Sequence, residues 1–353
     1  MALPSSGNQI TLNQVNVELG DTGTDVIGLN DADVRSLFGV SSGEIEMADG
    51  YGKSSLAPWF GARGVFAAGY TSTNQNFDII DYITIASTGD ATDFGDLGGA
   101  ARAKEALSNS TRVVIGGSNT GFNAGGMDYI TTASTGNSTD FGDMSGDSYN
   151  PGCCGNDTRG IWSGVNVWPE TNVLEYITTA SAGNTTDFGD LATPVQSNFG
   201  SNNTSRGVFG GGATNNVRQD IMRYVTIAST GNSSNFGDLT LPREHLQAAE
   251  SSTRICVMGG FNYAGGWQIY NNIDYITTAS TGNATDFGDL NIPGGAGSAC
   301  TNATRGCLNI GYTSGFNTTD AISYITIAST GNASDFGDAL VVAHSTSGSS
   351  GTA

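Results

Sequence analysis

One phrase recurs six times in this 353-residue chain and constrains the fold more than any other feature. DYITIASTGDATDFGDL (81–97) returns as DYITTASTGNSTDFGDM (128–144), EYITTASAGNTTDFGDL, RYVTIASTGNSSNFGDL, DYITTASTGNATDFGDL and SYITIASTGNASDFGDA. Its tyrosines, Tyr82, Tyr129, Tyr176, Tyr224, Tyr275 and Tyr324, are 47, 47, 48, 51 and 49 residues apart. That period is the length of one four-stranded propeller blade. Upstream of each tyrosine stands an arginine followed by an apolar run, at Arg63, Arg112, Arg159, Arg206, Arg254 and Arg305. Length alone suggests two or three domains, but a repeat through most of the chain overrides that.

Each repeat reads as four short strands. Strand a is the weak stretch before the arginine, such as LQAAESS (246–252). Strand b is the apolar run, unbroken enough to be buried on both faces. Strand c, YITIAS, alternates with period two and is rich in β-branched residues. The TGN turn leads to strand d, TDFGD, which is polar and suits an outer edge. Such a sheet cannot bury both faces alone, so neighbouring sheets must pack in a ring. With 52 glycines and only 13% charged residues, the composition suits many tight turns and no long helices.

The apolar strand ending in a Gly pair, the Tyr strand and the single aromatic after it resemble kelch-type blades, with Phe where those carry Trp. The fold class expected is all-β: a six-bladed, kelch-like β-propeller over 54–353. After the sixth FGD the chain continues as VVAHSTSGSSGTA (341–353), where another repeat would place strand a. We expect this C-terminal strand to close blade one beside 63–70, leaving no open edge. SSLAPWFG (54–61) is the competing occupant of that slot.

Residues 1–53 differ in character. Short phrases put apolar residues before a polar helix start, and DADVRSLFGV suggests a short helix packing Val34, Leu37 and Phe38. Fifty residues make a small core, so this segment is expected to dock on another chain or on its own copies. Its run ALPSSGNQITLNQVNVELG…IGLNDADVRSLFGVSSGEIEMADGYGKSS resembles the N-terminal segment of many tailed-phage virion proteins, and the TGNATDFGDL repeat is similar to repeats in the same class. The resemblance implies a tail-fibre-like or capsid-attached structural protein, located in the virion and assembled in the host cytoplasm. It further implies many copies per particle and attachment to other virion proteins through 1–53.

The formal net charge of −20 disfavours nucleic acid and anionic membranes as partners. No apolar stretch is long enough to span a bilayer, and residues 1–20 lack a signal-peptide pattern, so a soluble protein is expected. Cys153, Cys154, Cys256, Cys300 and Cys307 do not follow the repeat and read as free thiols. With two histidines, His245 and His344, a zinc site and His-dependent catalysis are both disfavoured. No cofactor, metal or catalytic set is expected. The acidic turns lack the alternating carboxylates of a calcium loop. STDFGD (138–143) only partly matches the Asp-box of sialidase propellers.

The six arginines admit two readings. One is a cationic ring gripping an acidic ligand. The favoured one is a structural bridge in each repeat to the FGD aspartates Asp96, Asp143, Asp190, Asp238, Asp289 and Asp338.

Departures from symmetry carry the functional signal. In an up-down blade the a–b and c–d turns share one face and are nearly identical here. The b–c loops and d–a connectors share the other face and vary. The longest b–c loop, FNYAGGWQIYNN (261–272), brings Tyr263, Trp267 and Tyr270, and repeat three adds Trp162 and Trp168. Aromatics beside Asn and Gly suit a host cell-surface glycan, through stacking and adaptable hydrogen bonds. They also suit plain cover for a blade rim. The expected function is a non-enzymatic virion appendage protein, with a ligand-free decoration or spacer module and a glycan-degrading depolymerase as alternatives. A deep central pocket with a carboxylate pair favours the enzyme, and a shallow variable face favours binding.

Overall fold

The computed structural model describes residues 61–118, 124–165 and 170–351, and in addition Val15, Leu29, Asp31, Val34, Arg35 and Glu46. The chain divides into two compact bodies, Met1–Ala57 and Pro58–Ala353. In the first, Val34 and Arg35 are helical, and the Arg35 N–H donates to the Asp31 carbonyl at 2.9 Å. Val34 is fully buried, while Leu37 and Phe38 lie outside the described residues.

The second body is all-β with a propeller-like arrangement. Every repeat forms its four strands in the order a-b-c-d, all antiparallel. Strands a are innermost: Lys104–Ser108, Cys153–Gly155, Phe199–Asn202, Gln247–Glu250, Ser298–Thr301 and Ser347–Gly351. Ser347–Gly351 pairs with Arg63–Ala67, in the place expected for it. The competing stretch 54–61 lies almost entirely outside the described residues.

Six separate sheets are not observed. Repeats two to five form four sheets of four strands, whereas repeats six and one are hydrogen-bonded into one sheet of eight. The join is the long strand d of repeat six, Ser334–His344, which pairs Ala343 and His344 with Thr71 and Tyr70 of strand b of repeat one. Its cause is in the sequence. After FGD, repeats three to five meet Pro194, Pro242 or Pro293, which cannot continue a ladder. Repeat six reads ALVVAH there and runs on.

The core lies between sheets. Six apolar clusters each join consecutive repeats, one of them uniting Phe336 and Ile322 of the sixth with Phe66 and Ile85 of the first. All five cysteines are free and buried inside these walls. Burial raises the Cys256 thiol to about 12, which keeps it protonated and inert.

The repeated phrase is a clamp between neighbours. In Gly136 and Asn137 of the TGN turn, the glycine N–H donates to the Phe94 carbonyl of the preceding repeat at 2.8 Å. The Asn137 Oδ1 accepts the Asp96 backbone N–H at 3.1 Å. The same pair of contacts recurs around the body and ends with Gly89 and Asp90 holding Phe336 and Asp338. The FGD glycine is required by this approach: a Cβ on Gly95 would lie 2.5 Å from the Gly136 backbone.

The six arginines are where the sequence reading needs correction. No ion pair joins any of them to an FGD aspartate among the described residues. Instead each guanidinium stacks on its own repeat's tyrosine, at 4.3–4.4 Å from the ring centre. Each also donates to a backbone carbonyl of the next repeat, as Arg206 does to Thr278 at 2.7 Å. The tyrosine in turn meets the FGD phenylalanine edge-on, as in Tyr224–Phe236 at 6.1 Å. A tyrosine face and a carbonyl satisfy the cation without a carboxylate. Buried ion pairing does occur elsewhere: Arg243, fully buried, meets Asp274 at 2.9 Å.

Candidate functional site

The d–a connectors reach the axis through one residue each, Ala103, Asn150, Ser197, His245, Ala296 and Ser345, all with positive φ of 46–55°. Their backbones form a collar. The N–H groups of Asn150, Ala103, Ser345, Ala296 and His245 donate to the carbonyls of Ala103, Ser345, Ala296, His245 and Ser197 respectively. Five hydrogen bonds thus link the six connectors in sequence around the axis. Behind the collar runs a channel lined by all six strands a, with about 60 Å³ of water-reachable space. Glu105 and Glu250 both project into it. Burial pushes Glu105 up to about 8 and Glu250 up to about 7, partly offset by hydrogen bonds from Gln247 and Ser201. The Glu105–Gln247 contact reaches from strand a of repeat two to that of repeat five.

Outside the collar, the variable loops assemble an aromatic surface. The b–c loops and d–a connectors bridge each other, as Glu244 does with Phe261, Gly295 with Tyr312 and His344 with Tyr70. That pairing holds the rings in place. Tyr263 stacks on Trp267 with centroids 6.2 Å apart, and Trp267 meets Tyr312 edge-on at 5.9 Å. Tyr312 stacks on His344 at 3.7 Å, and His344 meets Tyr70 edge-on at 5.5 Å. The guanidinium of Arg102 lies 3.9 Å over Tyr70. A second branch stacks Phe261 on His245 at 4.7 Å, with Tyr149 edge-on to the imidazole.

The electrostatics are those of a neutral basin with two cations. Burial lowers His245 to about 3 and His344 to about 4, so both rings are uncharged at neutral pH. Burial also raises the Tyr149, Tyr263 and Tyr312 phenols, which stay protonated and able to donate. Arg218 covers Tyr263 at 4.4 Å and is bound to Glu244 at 2.5 Å. Arg102 has no carboxylate partner among the described residues, and its Nε is buried without a hydrogen bond.

The predicted aromatics divide. Tyr263 and Trp267 come together on this surface, with Tyr263 42% exposed. Tyr270 bonds Gln268 through its hydroxyl at 2.9 Å and stacks on neither of them. Trp162 is fully buried between repeats two and three, packed with Leu107 and Phe141, so it is core and not a ligand residue. Trp168 lies outside the described residues. Sequence reasoning missed Tyr70, Arg102, Tyr149, His245, Tyr312 and His344. Arg102, Tyr149, His245 and His344 come from four d–a connectors and Tyr70 and Tyr312 from the ends of two strands b, and only the packing of the repeats brings them together. Among the described residues no three or more His, Cys, Asp or Glu groups are placed to hold a metal, and no helix is long and apolar enough to cross a membrane.

Comparison with known protein families and with curated proteins finds no match. The surface therefore has to be read from its chemistry. Stacked aromatic faces, protonated phenols and guanidinium groups on a shallow surface are suited to holding a polyhydroxylated ring by its apolar face and its hydroxyls.

Proposed function

We propose that this protein is a virion appendage protein, carried on residues 1–53 and displaying a six-bladed, kelch-like propeller whose b–c face binds a host cell-surface glycan. For the blade count, the eight-stranded sheet is two four-strand sets joined through two residue pairs, and repeats six and one share an apolar cluster between them as the other neighbouring repeats do. For the binding face, one observation carries the reading. The unbroken series of ring contacts from Tyr263 to Tyr70, with His344 as its buried link, lies on the side where the repeats differ, not on the side where they are alike. The attachment role of 1–53 and the phage setting rest on the resemblance of those residues and of the repeat. The many copies implied by that setting suit weak stacking contacts, which gain strength through multivalency.

Glu105 and Glu250 favour a second reading, a glycan-degrading enzyme, because they share one central channel. Two features weigh against it. The channel's 60 Å³ is far below the roughly 300–1,000 Å³ of ligand pockets. Glu105 is also already engaged by Gln247.

The test is a Tyr263→Ala, Trp267→Ala double variant of the full chain, compared with wild type on host cells and on a glycan array. We expect binding to fall at least tenfold with the melting temperature unchanged. Unchanged binding by the folded variant moves the weight to a spacer. Release of reducing ends from the same glycans by the wild type selects the enzyme.

A further inference from the structure

Arg102 is the odd charge of this surface. The whole chain carries 13 Lys and Arg against 33 Asp and Glu, so a cation has an ample supply of carboxylates. Arg218 takes one, Glu244, and Arg243 takes another, Asp274. Arg102 takes none among the described residues. It sits in the d–a connector beside the collar residue Ala103, with its plane on the face of Tyr70 at 3.9 Å. Its positive charge is felt at the Tyr149 and Tyr312 phenols and depresses His344 further. Among the described residues the cation thus has phenols and a neutral imidazole near it and no carboxylate paired with it.

We propose that Arg102 is the acid-recognition residue of this face, and that the ligand is a saccharide bearing a carboxylate, such as a uronic acid. The inference rests on the glycan-binding reading above and adds the ligand class to it. With its Cζ 3.9 Å over the Tyr70 ring, the guanidinium can turn its two terminal Nη groups to a carboxylate in a two-point bond. Tyr263 and Trp267 lie at the other end of the ring-to-ring path through Tyr312 and His344. A chain of sugars lying along that path stacks a neutral face at Trp267 and presents an acid at Arg102. With His344 and His245 uncharged, the guanidinium is the anion's close cationic partner among the described residues at that end.

The experiment uses the full-length protein, oligogalacturonate, its carboxyl-reduced neutral counterpart, and a sulfated galactan oligomer. Wild type is expected to bind oligogalacturonate at least tenfold more tightly than the reduced form. Arg102→Gln, which keeps a planar polar group on Tyr70, is expected to lose at least tenfold on oligogalacturonate and no more than about threefold on the reduced oligomer, so that the preference disappears. Arg102→Lys is expected to recover only part of it, since a point charge lacks the fork. Equal wild-type binding to both uncharged and acidic oligomers overturns the proposal and leaves the glycan reading standing. Equal losses on both ligands in Arg102→Gln make the residue a packing group and overturn it too. Preference for the sulfated oligomer overturns the carboxylate assignment. Absence of binding to all three overturns it together with the reading it rests on.

Discussion

Arg305 and Ile85 are 220 residues apart, yet the Arg305 Nη1 donates to the Ile85 carbonyl at 2.9 Å, binding the sixth repeat to the first. The contact repeats the one Arg254 makes to Ile327 in the following repeat, at 2.8 Å. The closing seam is therefore built with the same parts as the internal ones.

Equal parts predict equal costs. Arg206→Ala and Arg305→Ala each lose a guanidinium–tyrosine stack and one charged hydrogen bond, about 2 kcal/mol in all. Urea unfolding of the two variants is expected to agree within about 0.5 kcal/mol. A neutral Arg305 variant beside a costly Arg206 one shows that the seam does not bear load.

The clamp glycine gives a sharper contrast. A Cβ on Gly237 would stand 2.2 Å from the Gly282 carbonyl oxygen, at φ 152°. Gly231, at φ 155°, has no neighbouring atom within 4 Å. Both alanines meet backbone strain of about 1 kcal/mol or more, but only Gly237→Ala must also push two repeats apart. We expect Gly237→Ala to cost at least about 3 kcal/mol and Gly231→Ala about 1. Matching losses in thermal melts reject the clamp as the reason for the FGD glycine.

The period, the strand order and the site of the strand that pairs with Arg63–Ala67 were legible because they depend on local pattern. The partners of the repeated residues were not. Asn137 and Asp96 lie 41 residues apart, and nothing in either sequence position says that a side-chain amide meets a backbone N–H. Matching one arginine to one aspartate per repeat was equally compatible with one tyrosine and one carbonyl per repeat, and geometry chose the latter. Trp162 was readable as core: it aligns with Phe66, Ile115, Phe209, Val257 and Leu308 in the other strands b, all buried. Arg102 and His344 occur once each, and although Tyr70 and Tyr312 both stand seven residues after their arginines, nothing local says that His344 meets the two of them.

The channel carboxylates set a pH dependence. Glu105 and Glu250 have folded pKa values of about 8 and 7, above the usual 4.5, through burial. The folded state thus holds their protons more tightly than the unfolded one, and stability falls as pH rises from about 5 to 8. His245 and His344 are depressed, so their effect is opposite and confined below about 6.5. Lys104, lowered to about 8 by burial, adds stability only above that. Asp81, raised to about 6, and Glu244, also raised by burial, act in the same direction as the glutamates. Between pH 6.5 and 8 the two channel glutamates are expected to add a loss of about 1–2 kcal/mol after allowing for channel water. A Glu105→Gln, Glu250→Gln variant is expected to lose most of the slope in this window. A slope that persists undiminished in that variant assigns the effect to other groups.

The last prediction concerns the strand Ser347–Gly351. It supplies the innermost ladder of repeat one, pairing Ser347 with Ala67 and Gly351 with Arg63. It also fills the channel wall between its neighbours: Ser349 Oγ bonds Ser108 Oγ at 2.9 Å on one side, and Thr346 Oγ1 bonds Ser298 Oγ at 2.8 Å on the other. Gly348 passes so close to repeat six that a Cβ would lie 2.7 Å from the Ala299 carbonyl oxygen. Deleting 346–353 strips strand Arg63–Thr71 of most of its partner on that edge and opens a slot in the wall. The loss is expected to be at least about 3 kcal/mol, with self-association through the bared edge. A synthetic peptide spanning 345–353 is expected to refill the slot by strand addition and restore both the melting temperature and the monomer. Gly348→Val in the same peptide is expected to abolish the rescue. A truncated protein that melts like the full chain, or rescue that ignores the Gly348 substitution, rejects this strand as the closing element.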